Sequence, residues 1–242
     1  MPGIRIGMLT PSSNTVLEPM TQDIIAPLEG VTAHFSRLKV TEISLNSYGL
    51  AQFELKPFVQ AASLLADAKM HAITWNGTSA AWRGFHEDES LASAIKDAHD
   101  VPATASMLAL NHIMDTHDFR RIGLVTPYSD DVQARIQENY TALGYDITAE
   151  QHSGISVNYK FSEIEAEPIC EMVRDVAKSR PQCIIIICTN LRSAGLVQAL
   201  EAETGIPIYD STSAVVWHTL KLVGINPARC GARWGSLFAA TD

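Results

Sequence analysis

The chain has 242 residues, of which 46% are hydrophobic and 19% are charged, as in ordinary globular proteins. Its formal charge is −9 and it has no basic cluster, which argues against nucleic acid or an anionic membrane as a partner. No apolar stretch approaches the roughly 20 residues of a membrane span, and no signal-peptide pattern opens the chain. Four cysteines in this length do not make a disulfide framework, so we expect a cytoplasmic protein with reduced thiols.

Short strand-like runs alternate with helical patterns along the chain, which is typical of parallel strands joined by helical crossovers. The first run, "RIGMLTPSSNTV" from Arg5, is similar to "RIGLVTPYSDDV" from Arg121. Each combines a buried strand, a Thr-Pro turn and Ser, Asn or Asp residues suited to a helix start. The similarity indicates that one unit occurs twice.

Two further pairs of segments occur in the same order. "AITWNGTS" aligns with "CIIIICTN", which places Gly77 opposite Cys188, and "VPATAS" aligns with "IPIYDS". Three ordered matches indicate an internal duplication. We therefore predict an α/β protein of two pseudo-symmetric Rossmann-like halves, each a parallel sheet flanked by helices.

The boundaries of the two halves follow from the repeat. We assign residues 1–112 and 217–242 to the first half and residues 113–216 to the second, because the last segment has no counterpart in the duplication. Ligands of open parallel sheets bind outside the carboxyl ends of the strands. The active site is therefore expected in the cleft between the halves.

Small polar residues follow the strands whose ends should meet in this cleft. Each group precedes a predicted helix, whose free backbone N–H groups and partial positive charge suit a carboxylate. The alternative is that each residue only caps its helix. The candidate substrate-binding residues from this pattern are Ser13, Asn14, Thr78, Ser79, Tyr128, Thr189 and Asn190.

The four cysteines are not equivalent. A lone cysteine is usually a small buried hydrophobe, and we interpret Cys170, Cys183 and Cys230 in that way. Cys188 ends a run of isoleucines beside a predicted helix start, where thiols become reactive. We therefore expect a functional role for Cys188.

No metal or organic cofactor is expected. The segment "NHIMDTHD" (residues 111–118) lacks zinc-ligand spacing and is predicted to be a solvated loop at the crossover. Neither G-x-G-x-x-G nor G-x-x-x-x-G-K-[ST] follows a strand, which disfavours dinucleotides and P-loop nucleotides. The expected ligand is a small carboxylic or dicarboxylic acid, and a homo-oligomer is compatible with the sequence.

The duplicated halves, the cysteine-bearing strand end and the "TPSSNT" turn resemble the aspartate/glutamate racemase superfamily, in the branch of arylmalonate decarboxylases and maleate cis–trans isomerases. The resemblance covers most of the chain. It implies catalysis without cofactor, by cysteines on either side of a bound carboxylate. Racemases and maleate isomerases carry a cysteine in each half, whereas here Gly77 stands at the first position.

A Gly-Thr-Ser turn with one remaining cysteine is similar to the arylmalonate decarboxylases. This resemblance implies a double oxyanion site formed by Thr78, Ser79, Tyr128 and the backbone N–H of Thr189. We therefore expect a cofactor-independent decarboxylase of α-substituted malonate-type diacids, acting through an enediolate that Cys188 protonates on one face. The opposite face, at the glycine, would carry no second acid or base.

Two asparagines favour a different reaction. "PSSNT" with Asn14 and "VNYKF" with Asn158 resemble maleate isomerases, whose asparagines hold the substrate carboxylates. An isomerase would use Cys188 as a thiolate nucleophile, whereas a decarboxylase needs its neutral thiol. The alternatives are a maleate cis–trans isomerase, an amino-acid or hydantoin-type racemase of the same superfamily, and more distantly a non-catalytic small-acid binding protein.

Overall fold

The computed structural model describes residues 3–239, which contain two four-stranded parallel sheets. The strands are β1 (Ile4–Pro11), β2 (Val31–Leu38), β3 (Ala72–Trp75), β4 (Ala103–Ala105), β5 (Arg121–Thr126), β6 (Asp146–His152), β7 (Cys183–Ile186) and β8 (Ile208–Asp210). The order is β2-β1-β3-β4 in one sheet and β6-β5-β7-β8 in the other. The two sheets therefore have the same topology.

Strand register repeats between the two sheets. β1 pairs with β3 beginning at Ile6 and Ala72, and β5 pairs with β7 beginning at Ile122 and Cys183. These are equivalent positions of the sequence repeat, and the pairs β3–β4 and β7–β8 are equivalent as well. The predicted α/β class with two duplicated parallel-sheet halves is confirmed.

Helices flank both sheets within the described part of the chain. They are α1 (Leu17–Ile25), α2 (Ser47–Ala51), α3 (Leu55–Asp67), α4 (Ala80–Arg83), α5 (His86–His99), α6 (Ser106–Thr116), α7 (Asp130–Ala142), α8 (Asn158–Phe161), α9 (Ala166–Ala177), α10 (Val197–Thr204) and α11 (Ser211–Leu222). Single 3₁₀ turns lie at Ala194–Leu196, Pro227–Cys230, Ala232–Trp234 and Ser236–Phe238. Among residues 3–239, no helix combines the length and apolarity needed to cross a membrane.

Hydrophobic patterning explains the core. All four residues of β7 are buried, as expected for a central parallel strand covered by helices on both faces. The edge strands β2 and β6 are mostly half-buried and correspondingly more polar. Helix α9 turns Ile169, Val173 and Val176 towards the sheet, which is the spacing of one helical face. The most buried strands therefore end at the cleft between the halves.

The final segment contacts both halves. Helix α11 packs against α6 and against β3 and β4 of the first sheet. Beyond it, the backbone N–H of Ser236 donates to Glu201 Oε2 of α10 at 2.6 Å. The assignment of residues 217–242 to the first half stays a prediction.

Two local predictions were wrong. Residues 111–118 are not a solvated loop, because most of them continue α6 and bury Ile113 and Met114. The chain also does not enter a helix directly after Cys188. It turns until residue 193, passes through the 3₁₀ turn and begins α10 only at Val197.

Candidate active site

The ends of β1, β3, β5 and β7 surround a small cavity between the two halves. Its polar lining residues are Thr78, Ser79, Tyr128, Asn158, Cys188 and Thr189. Its larger apolar lining residues are Val40, Ile43, Phe53, Trp75, Trp82 and Phe161. The free space between them is about 20 Å³, the room of a single water molecule. A dicarboxylate therefore needs some of these side chains to move apart.

Tyr128 and Thr78 join the halves across this cavity. The Tyr128 hydroxyl lies 2.6 Å from Thr78 Oγ1, and both side chains are buried. Burial raises the pKa of Tyr128 well above its ordinary value, so its phenol stays protonated. The pair can therefore present a hydroxyl donor to an oxyanion.

Cys188 is buried, with 3% of its surface exposed. Its Sγ accepts the Asn190 N–H at 3.4 Å, and its own N–H donates to Ser211 Oγ at 3.1 Å. Burial raises the pKa of the thiol to about 12, although the Asn190 N–H and the Tyr128 hydroxyl act in the opposite sense. Burial therefore favours the neutral thiol of Cys188 over its thiolate.

A network of buried hydrogen-bonded residues supports the turn at Cys188. Asp210 accepts the Ser193 hydroxyl at 2.5 Å and caps α11 by accepting the Ser213 N–H at 2.9 Å. The next residue, Ser211, is the one that receives the Cys188 N–H. Sequence reasoning did not identify this network, although "DSTS" after an apolar strand is a helix-cap signal.

Backbone donors supply the rest of the anion-binding capacity. Within residues 3–239, the N–H groups of Thr78, Ser79 and Thr189 donate to no protein acceptor. No lining residue is charged, so a bound carboxylate would be held by neutral donors alone. Such preorganised donors in a water-poor site stabilise a developing oxyanion strongly.

Thr189 and Asn158 link this site to residues of both halves. Thr189 Oγ1 donates to the Asn76 carbonyl at 2.9 Å and accepts Asn14 Nδ2 at 3.1 Å. Asn158 lines the cavity from the start of α8, and its carbonyl accepts Asn190 Nδ2 at 2.7 Å. The cavity therefore depends on bonds between the two halves.

Three predicted binding residues lie beside the cavity without lining it. The Ser13 hydroxyl donates to the Val40 carbonyl at 2.7 Å. Asn14 Oδ1 caps α1 by accepting two backbone N–H groups, each at 2.9 Å. Asn190 Oδ1 accepts the Thr15 N–H at 3.0 Å. Their polar atoms are engaged by the protein, and a direct role in substrate binding stays a prediction.

Trp75 covers Gly77 and was missed by sequence reasoning. A Cβ atom built on Gly77 would overlap Cζ2 and Cε2 of the Trp75 indole and lie 2.7 Å from Cη2. The glycine is therefore required by the indole and leaves no room for a second cysteine. The available signal was the tryptophan two residues earlier in "AITWNGTS".

Across residues 3–239, no three His, Cys, Asp or Glu side chains are grouped so that they could hold a metal ion. The residues "NHIMDTHD" instead contribute to α6 and to ring contacts, in which His112 stacks on His218 with ring centroids 5.0 Å apart. They take no part in the cavity.

Comparison with known proteins gives consistent results. The family model described as arylmalonate decarboxylase matches residues 6–238. A maleate isomerase from Geobacillus stearothermophilus is 23% identical over 234 residues, 91% of this chain and 92% of that protein. An arylmalonate decarboxylase from Bordetella bronchiseptica is 24% identical over 165 residues, 67% of this chain and 68% of that protein.

A solved structure shares the fold. The maleate cis–trans isomerase of Nocardia farcinica, a cysteine-to-serine variant with a covalently bound succinylcysteine intermediate, matches with a TM-score of 0.84 at 22% identity. The match covers 92% of this chain and 94% of that chain. The predicted resemblance to the racemase superfamily is confirmed, as is the prediction of a decarboxylase- or isomerase-type enzyme. The chain belongs to the arylmalonate decarboxylase family.

Proposed function

We propose that this chain is a cofactor-independent decarboxylase of α-substituted malonate-type diacids. The observation that carries the proposal is a single neutral thiol facing a wall without a second acid or base. Cys188 lines the cavity with a pKa raised to about 12 by burial. Trp75 occupies the place opposite, over Gly77, where a second cysteine would have to lie.

The reaction follows from the donors around the cavity. The bond between the α-carbon and one carboxylate breaks, CO₂ leaves, and the electron pair spreads onto the remaining carboxylate as an enediolate. The Tyr128–Thr78 hydroxyl pair and the free N–H groups of Ser79 and Thr189 would stabilise its oxygens. The Cys188 S–H then protonates the α-carbon, and the thiolate regains a proton from water.

The mixed lining of the cavity supports loss of CO₂. Its hydroxyl and N–H donors are interspersed with four aromatic side chains, Phe53, Trp75, Trp82 and Phe161. A carboxylate placed against one of these rings loses its hydration without gaining hydrogen bonds there, which favours its departure as neutral CO₂. An isomerase would need to hold both carboxylates throughout its reaction.

Maleate isomerisation is the second candidate, favoured by Asn158 in the cavity lining and by the maleate isomerase relative that spans 91% of the chain. The Nocardia farcinica enzyme forms its succinylcysteine while one cysteine is replaced by serine, so a different cysteine holds the intermediate. In this chain Cys170, Cys183 and Cys230 do not line the cavity. We therefore propose the isomerase second, because such a reaction is expected to use two thiols.

Proton NMR in D₂O with methylmalonate and, separately, with maleate tests the proposal. We expect methylmalonate to give propionate with one deuterium at the α-carbon, and maleate to remain unchanged. The Cys188→Ser variant serves as the inactive control. Fumarate formation without decarboxylation would overturn the proposed reaction in favour of the isomerase.

A further inference from the structure

Trp75 lines the cavity where its indole covers Gly77, the residue that the sequence repeat aligns with Cys188. It is the last residue of β3 and stands two positions before Gly77, whose α-carbon its six-membered ring covers. Trp75 and Cys188 line the same cavity from opposite halves of the molecule. An α-carbon bound there lies between a thiol on one face and an indole ring on the other.

The indole is fixed in this position. Trp75 is 1% exposed, and its ring meets the Phe58 ring edge-on, with centroids 4.7 Å apart. Its backbone pairs with Leu9 of β1 on one side and Ala105 of β4 on the other. The Trp75 backbone therefore belongs to the centre of the sheet, and its buried indole packs on Phe58.

A second part of the cavity lining, the peripheral wall, lies outside the sheet. It is formed by Val40, Ile43 and Phe53, which come from the connection between β2 and α3. This connection meets the second half through the Ile43 N–H, which donates to the Ser156 carbonyl at 2.8 Å. Separation of these two segments would enlarge the cavity towards solvent, but it would not enlarge it beneath Trp75.

We infer that Trp75 determines the substrate class, restricting the site to short aliphatic diacids whose α-carbon carries hydrogen or methyl. A tetrahedral α-carbon held below the Cys188 thiol directs at least one substituent towards the indole. The cavity leaves about 20 Å³, and the Trp75 backbone is held by strand pairing on both sides. An aryl substituent is therefore excluded. This inference rests on the proposed function for its choice of malonates as substrates.

The test compares methylmalonate with phenylmalonate on the unmodified protein and on three variants. Trp75→Leu opens the wall, Trp75→Phe retains an aromatic contact with Phe58, and Trp217→Leu is a matched control on α11, away from the cavity. Turnover is followed by NMR. Binding is measured by calorimetry in a Cys188→Ser background, so that the diacids stay intact, and thermal unfolding verifies that each variant is folded.

We expect the unmodified protein and Trp217→Leu to favour methylmalonate by about 100-fold in binding and in kcat/KM, within the range that hydrophobic pockets achieve. Trp75→Leu should gain at least about 10-fold in phenylmalonate binding, and Trp75→Phe should fall between them. Selective binding with no turnover of either acid would refute the decarboxylase reaction and still support the role of Trp75. Equal binding of both acids by the unmodified protein, or binding of neither, would overturn the inference.

Discussion

The Tyr128 hydroxyl lies 2.6 Å from Thr78 Oγ1. Tyr128 follows β5 of the second half, and Thr78 follows β3 of the first half. Each residue comes from a different copy of the duplicated unit. Their contact means that the candidate oxyanion site exists only when both halves are assembled. Neither half alone can provide it.

Removing the Tyr128 hydroxyl should reduce turnover with little effect on folding. Tyr128→Phe deletes one preorganised donor, and we expect kcat to fall about 100-fold or more. Tyr145→Phe is the matched control, because it removes a tyrosine hydroxyl that donates to Asp115 away from the cavity. An unchanged kcat in Tyr128→Phe would exclude this hydroxyl from the oxyanion site.

Two cysteine substitutions should have opposite effects. Cys188→Ser should abolish turnover and leave the fold intact, because a serine hydroxyl is a far weaker acid than a thiol. Cys183→Ser should lower the free energy of unfolding by about 1–3 kcal/mol and spare activity, because it places a hydroxyl in the buried strand β7. Activity assays and urea titrations of both variants check this. Equal loss of activity in two folded variants would contradict it.

The Cys188 thiol should resist alkylation at neutral pH. With its pKa raised to about 12, only roughly one molecule in 10,000 carries the thiolate at pH 8. Iodoacetamide labelling followed by mass spectrometry should modify the half-buried Cys170 first. Activity should likewise show no thiol titration below pH 9. Preferential labelling of Cys188 at pH 7 would point to a nucleophilic thiolate and to the isomerase.

The free energy of unfolding should decrease as pH rises, because of the buried carboxyl group of Asp88. The Asp88 carboxyl is buried, its Oδ2 has no hydrogen-bond partner among residues 3–239, and burial raises its pKa from 3.8 to about 8. The folded state therefore retains a proton that the unfolded chain releases above pH 4. The stability contributed by this proton is full below about pH 4 and is lost as pH rises through about 8, by up to about 1.4 kcal/mol per pH unit.

Urea titrations at pH 5, 7 and 9 measure this effect. The Asp88→Asn variant cannot ionise, so its stability relative to the unmodified protein should increase steadily with pH. Asp97→Asn, at an exposed position of the same helix, is the matched control for replacing an aspartate by asparagine. A constant difference between Asp88→Asn and the unmodified protein would show that Asp88 does not titrate in this range.

The sequence repeat predicted more of the fold than of the site. Aligned strands carry aligned hydrophobic residues, and the residues that begin the pairing of β1 with β3 are the repeat equivalents of those that begin the pairing of β5 with β7. The repeat also aligned Cys188 with Gly77, and both residues line the cavity. These features depend on local pattern, which a sequence retains.

Side-chain direction was not predictable in the same way. Asn14 resembles a ligand residue, but its Oδ1 caps α1 and its Nδ2 donates to Thr189. The indole of Trp75 bends over Gly77, a relationship set by its rotamer and by Phe58 rather than by strand alternation. Both outcomes follow from tertiary packing, which no spacing rule encodes.

The packing of the Trp75 indole over Gly77 changes the effect expected from a second thiol at residue 77. Gly77→Cys alone should destabilise the protein and leave catalysis one-sided, because its Cβ would overlap the Trp75 indole. Combining Gly77→Cys with Trp75→Ala removes the overlap and sets a second thiol opposite Cys188. The double variant should racemise a chiral 2-arylpropionate, followed by loss of optical rotation and by α-deuterium uptake in D₂O. Trp75→Ala alone, with one thiol, should leave the acid optically stable. Racemisation by a stably folded Gly77→Cys single variant would show that the indole moves aside readily and does not wall off this face.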